Sequence, residues 1–157
     1  MKTIILFLVL ISCLTAKSQS FNEDKTAFSN FIKRMYAASP FEGVKIVDDY
    51  DHQYLVSVIS LEKAKYTSES IMNRVSQVKA QSQASTFLNG ATISMDMIIT
   101  TKETKDSTDN VSTIVETVEQ IKQNSTGFSQ GLELLTNFDN ADQLRMVYIY
   151  MRELKEE

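Results

Sequence analysis

The chain of 157 residues has no tryptophan, one cysteine, one histidine and one proline. Each scarcity closes a class of function. With Cys13 alone, no intrachain disulfide can form, so the fold must rest on its core rather than on cross-links. A zinc site wants three or four His or Cys ligands, and Cys13 and His52 do not supply them. A Ser or Cys triad needs a histidine base held by a carboxylate, and His52 has no G-x-S-x-G or comparable partner motif. Basic residues are outnumbered, 16 Lys and Arg against 20 Asp and Glu, and form no cluster. That balance argues against nucleic-acid binding. Beyond the N-terminus no apolar run is long enough to span a bilayer.

What is present begins with MKTIILFLVLISCLTAKSQS, residues 1–20. Lys2 supplies a positive start, Ile4 to Leu14 an apolar stretch, and Thr15-Ala16-Lys17-Ser18 small and polar residues. This is the layout of a secretory signal peptide, with a cut expected between Ala16 and Phe21. Leu10-Ile11-Ser12-Cys13 resembles a bacterial lipobox, which makes Cys13 a candidate lipidation site. In that alternative an acyl chain tethers the domain, contributing about 0.8 kcal/mol per buried CH₂. Against it, Leu14 takes the place of the usual polar spacer. Removing residues 1–20 takes away Lys2 and Lys17 and no acid, so the net charge moves from −4 to −6. Residues 21–157 are then one exported domain without cysteine, able to bury roughly two-thirds of its unfolded surface.

Within 21–157 the apolar spacing sets out the elements. Phe28, Phe31, Ile32, Met35 and Tyr36 recur at helical intervals over 22–38, and Ser39-Pro40 ends that helix. Gly43 to Val47 reads as a short strand, Asp48 to His52 as a polar turn, and QYLVSVISLE (53–62) as a strand apolar on both faces. A long helix over about 68–89 carries Ile71, Met72, Val75, Val78, Ala80, Ala84, Phe87 and Leu88 towards one side. Ala80 and Ala84 predict a close approach to another element. Asn89-Gly90 ends the helix, with Gly90 expected in the left-handed conformation after the last turn. In ATISMDMIITT (91–101), Ile93, Met95, Met97 and Ile99 alternate with polar residues, which predicts a strand with one wet face. KETKDSTDN (102–110) is polar throughout. Val111, Ile114, Val115, Val118 and Ile121 suit a helix, although the β-branched TIVETV also suits a strand. Phe128 to Phe138 and Gln143 to Glu153 read as a closing hairpin around Asp139-Asn140-Ala141-Asp142. The expected fold class is α+β, a mainly antiparallel sheet with helices packed on one face, in the order αββαβαββ.

Few residues invite a chemical role. A phosphate loop needs a glycine turn entering a helix, and Gly90 instead follows one, where carbonyls repel anions. His52 stands near Asp48, Asp49 and Asp51, but Asp49-x-Asp51 lacks the third ligand, the Gly and the distal Glu of a calcium loop. An exposed histidine in a polar turn is the plainer reading. Asn110-Val111-Ser112 and Asn124-Ser125-Thr126 match the N-glycosylation acceptor, and Ser107 in Asp106-Ser107-Thr108 is a candidate O-glycosylation site. Tyr148 and Tyr150 alternate with Val147, Ile149 and Met151. They are expected in the core, or on a patch for a partner if one strand face stays open. No catalytic, cofactor or metal residue is assigned.

RVSQVKAQSQASTFLNG (74–90), then ATISMDMIITT, then VETVEQIKQNSTGFSQGLELL and the strand MVYIYM, resemble a known arrangement. It is similar to the small bacterial membrane-associated lipoprotein family of the twenty-kilodalton type, related to the N-terminal domain of flagellar assembly protein T. The resemblance spans about Tyr54 to Arg152 and rests on element order, not on a catalytic signature. It implies an envelope-associated, non-enzymatic structural or assembly role with an envelope protein as partner. The expected function is an exported, periplasmic or secreted cell-envelope domain that binds a partner, touching membrane only through a lipid on Cys13. A small secreted ligand-binding or inhibitor protein is the alternative. An extracytoplasmic hydrolase with paired carboxylates is a third, since the spatial pairing of 20 acids is invisible in sequence. Labelled palmitate distinguishes the two export routes. A cleaved soluble form takes up no label, whereas label present in the wild type and absent from Cys13→Ala marks the lipoprotein.

Overall fold

A computed structural model describes residues 24–49, 52–90, 97–100, 118, 121 and 125–154. The chain divides into two compact units, Met1–Pro40 and Phe41–Glu157. In the first, helix α1 (24–38) buries Phe28 and Ile32, four residues apart, while Phe31, Met35 and Tyr36 are half-buried. This is the periodicity that the sequence predicts.

The second unit is a five-stranded sheet with helices packed on it, in the order β1 (Gly43–Asp49), β2 (His52–Glu62), α2 (Glu69–Gly90), β3 (Ile98–Thr100), α3 (Ser125–Gln130), β4 (Glu133–Asp139) and β5 (Arg145–Glu153). A short 3₁₀ turn, Lys63–Lys65, links β2 to α2. Val118 and Ile121 are also helical. The spatial order is β3-β1-β2-β5-β4. Three pairings are antiparallel, and β1 with β3 is parallel. The fold class is therefore α+β with a mixed, mainly antiparallel sheet.

Strand β2 lies at the centre because its sequence is apolar on both faces. Leu55, Ile59 and Leu61 join the core under α2, together with Ile46 of β1 and Tyr148 and Tyr150 of β5. The alternate residues Val56 and Val58, with Val47, Val147 and Ile149, are buried as well. Each such side chain contributes about 1.5–3 kcal/mol relative to exposure.

Helix α2 starts at Ser68, whose Oγ accepts from the Ile71 amide at 3.3 Å. Its buried line is Met72, Ser76, Ala80, Ala84, Phe87 and Leu88. The middle of that line is small, so the backbone comes close enough for Ser57 Oγ of β2 to lie 3.5 Å from the Ala80 carbonyl oxygen. The predicted close approach is present. The predicted face is not quite right. Ile71 is 44% and Val78 65% exposed, because the arc that meets the sheet centres on Ser76 and Ala80 and turns those two side chains away.

Other expectations shift at element ends. Asp48 and Asp49 belong to β1 rather than a turn, and pairing runs to Asp49 opposite His52. Asp48 is buried. Gly90 is the last residue of α2 and is not left-handed; Gly43 is the glycine with positive φ among the described residues. Met97 lies in a helical turn, and the strand begins at Ile98, which faces the core beside Ile46. Met97 and Ile99 are thus not partners on one strand face. Phe128 is in α3, and β4 starts only at Glu133. The turn expected at 139–142 is present, with Asp142 Oδ1 accepting from the Leu144 amide (2.9 Å) and Asn140 Oδ1 from that of Arg145 (3.0 Å). Residues 91–96, 102–110 and most of 111–121 lie outside the described residues.

Ala80→Leu or Ala84→Leu should destabilise the protein by about 1–3 kcal/mol through overpacking against β2, read by urea unfolding. Gly90→Ala should be neutral or stabilising by up to about 1 kcal/mol. An added Cβ meets nothing within 4 Å there, and alanine is the better helix former.

Candidate functional site

The polar side chains buried beneath α2 are the natural place to look for chemistry. Strand β5 puts Tyr148 and Tyr150 on the face toward α2, opposite Ile59 and Ser57 of β2. Helix α2 adds Ser76 to the same interface. Tyr150 Oη and Ser76 Oγ are 2.7 Å apart, and Ser76 Oγ also donates to the Asn73 carbonyl at 2.8 Å. Ser76 thus spends its proton on the backbone and accepts from Tyr150. Two turns further along α2, Ser57 Oγ donates to Gln83 Oε1 at 3.1 Å. Tyr148 Oη is buried with no hydrogen-bond partner among the described residues.

The electrostatics of this seam leave both tyrosines protonated. Burial pushes the Tyr150 hydroxyl above the ordinary tyrosine range, opposed in part by its bond to Ser76. Burial also raises Tyr148, and the negative charge of Glu69 and the neighbouring Tyr150 add to it. A tyrosine acting as a base or nucleophile needs its pKa lowered. The seam does the reverse. Ser76 has no histidine or carboxylate hydrogen-bonded to it, so the seam fastens α2 to the sheet.

His52 is brought to a different place. As the first residue of β2 it lies on the face away from α2, where Nδ1 stands 2.8 Å from Glu153 Oε1 at the end of β5. Its ring stacks on Tyr54, with centroids 6.1 Å apart. Asp49 is its direct partner across the hairpin. Among the described residues, no group of three His, Cys, Asp or Glu side chains is arranged to hold a metal ion. The imidazole remains largely exposed.

On the opposite face of the sheet, next to Glu153 along β5, Arg152 acts as a cap. Its Nη1 donates to the carbonyls of Gly127 (2.9 Å) and Phe128 (2.6 Å) in the short helix α3, the latter also accepting from the Gly131 amide (3.1 Å), and its guanidinium lies over the Phe128 ring at 4.3 Å. Gly131 makes room for it, since a Cβ there would fall 2.8 Å from Arg152 Cζ.

Cys13, Ser107, Asn110 and Asn124 lie outside the described residues. The sequence reading missed the seam, because Ser57 and Ser76 were not distinguishable from other serines. The one signal available was a lone serine at position 57 inside an apolar strand. Comparison of the chain with protein-family models, with curated proteins and with solved structures gives no match. The class that can be stated is accordingly that of the fold, an α+β domain with a hydroxyl-lined helix–sheet interface.

Tyr150→Phe should cost about 1 kcal/mol by removing the bond to Ser76, whereas Tyr148→Phe should be neutral or stabilising because its hydroxyl is unpartnered. Both folded pKa values stand above the unfolded value, so the folded state holds its protons longer. Stability is therefore complete below about pH 10 and falls as pH rises through the folded pKa values. The double Tyr→Phe variant should show a shallower alkaline loss in urea titrations.

Proposed function

We propose that the protein is an exported cell-envelope domain that works by binding a partner rather than by catalysis. The leader-like residues 1–20 motivate the export. No helix among the described residues is long and apolar enough to cross a membrane; where the domain is tethered, the proposed tether is a lipid on Cys13. The proposal extends to kinship with the small bacterial lipoprotein family, whose order of strand, long helix, strand, helix and hairpin is also the order between β2 and β5.

The observation that carries the binding reading is on α2. Met72, Ala80, Ala84, Phe87 and Leu88 are buried, yet Ile71 and Val78 on the same helix face outward. Large apolar side chains gathered on an outer face are what a docking surface presents. Meanwhile the hydroxyls of Ser57, Ser76 and Tyr150 are taken up in holding the fold.

In cells, lysine-directed crosslinking followed by mass spectrometry should recover the chain in the envelope fraction joined to one stoichiometric protein. Recovery in the cytoplasm, or turnover on a hydrolase substrate panel that carboxylate substitutions abolish, would refute the proposal.

A further inference from the structure

The exposed apolar residues of α2 form a ridge with a definite electrostatic border. At about 100° per residue, Ile71, Val75 and Val78 fall within an arc of about 60°. Val75 is half-buried against the core, Ile71 is 44% exposed and Val78 65%. Arg74 and Lys79 lie about 40° beyond the two borders of that arc. Both are exposed, and among the described residues neither takes part in an ion pair or hydrogen bond. In the same unit Lys63 is matched by Asp139, Lys65 by Glu62 and Arg145 by Glu42. A net-acidic chain thus places one unmatched cation on each side of an i, i+4, i+7 apolar stripe whose two ends, Ile71 and Val78, are exposed.

We infer that this ridge docks an acidic amphipathic helix of a partner protein, with apolar residues over Val75 and Val78 and carboxylates against Arg74 and Lys79. The inference rests on the partner-binding reading above and supplies its chemistry. Spacing at i, i+4, i+7 is what helix-on-helix recognition uses. The charges select the partner. A second copy of this chain would bring the same border against itself, cation to cation, because a two-fold contact pairs identical patches. A helix bordered by Asp and Glu matches both cations and is steered to them.

The test uses two synthetic amphipathic helical peptides with Leu at i, i+4 and i+7, one flanked by Glu and the other by Lys. Fluorescence anisotropy with the purified protein should show the Glu peptide binding tighter by about tenfold or more. Arg74→Glu with Lys79→Glu should reverse that order. Val78→Asp should weaken the Glu peptide about tenfold while leaving the circular dichroism spectrum intact, and Val78→Ser serves if the aspartate unfolds the chain. Equal binding of the two peptides, or an order unmoved by the charge reversal, overturns the inference. So does a dimer in ultracentrifugation that Val78→Asp dissolves, which assigns the ridge to a second copy. Sedimentation with phosphatidylglycerol vesicles without peptide binding overturns it in favour of a membrane surface. A photo-crosslinking residue placed at position 78 and, separately, at position 134 keeps the two proposals apart. A stoichiometric envelope adduct from 134 but not from 78 removes the ridge and leaves partner binding standing.

Discussion

The close seating of α2 on the sheet is the constraint on which the rest depends. Ser76, Ala80 and Ala84 give the helix a smooth middle, and Met72, Phe87 and Leu88 anchor its two ends. A smooth middle lets the backbone approach until Ser57 comes within reach of both the Ala80 carbonyl and Gln83. Small residues bury little apolar area, so hydrogen bonds across the interface carry register that large side chains would otherwise set. Tyr150 fixes the helix to β5 through Ser76, and Ser57 fixes it to β2 through Gln83. With those bonds made, the rotation of α2 about its axis is decided.

That rotation has a consequence on the far side of the helix. The buried arc is spent on Met72, Ser76 and Ala80, so Ile71 and Val78 are turned outward although both are strongly apolar. An exposed isoleucine or valine taken singly would mean little. Here the same geometry that hides two serines exposes the stripe and sets Arg74 and Lys79 on its borders. Interior polarity and surface hydrophobicity on α2 are one fact seen from two sides.

The sheet shows a similar division of labour. Strand β2 is covered on both faces and carries long ladders to β1 and β5. Strand β4 is outermost, and a bulge between Leu134 and Thr136 moves its later residues to the opposite face. Leu134 therefore shares a face with Tyr150, whereas Thr136 and Phe138 share the other with Ile149 and Val147. A bulge of this kind also increases the local twist, which discourages another strand from adding to the edge. The proposed docking surface is on the helix and not on this sheet edge.

Much of the fold was legible because it depends on periodicity. Helical spacing in α1, a long uninterrupted run in α2, the doubly apolar β2 and the Asn-Asp turn before β5 each announce themselves over a few residues. The α+β class and the element order follow from them. Element ends were read less well: Asp48 and Asp49 look like a turn and are strand, because pairing across the hairpin outweighs local composition. Phe128 looks like the start of a strand and is helical, because Arg152, distant in sequence, caps that helix. The seam was invisible for a stronger reason. Nothing local distinguishes Ser76 from the other serines of α2, and only the tertiary structure sets Tyr150 against it. Sequence alone determined the α+β class and the rough order of helices and strands, since periodicity shows within a few residues, but not where each element begins and ends. Which side of α2 faces the sheet, and therefore which apolar residues are left exposed, was decided by a contact 74 residues apart along the chain, Ser76 with Tyr150.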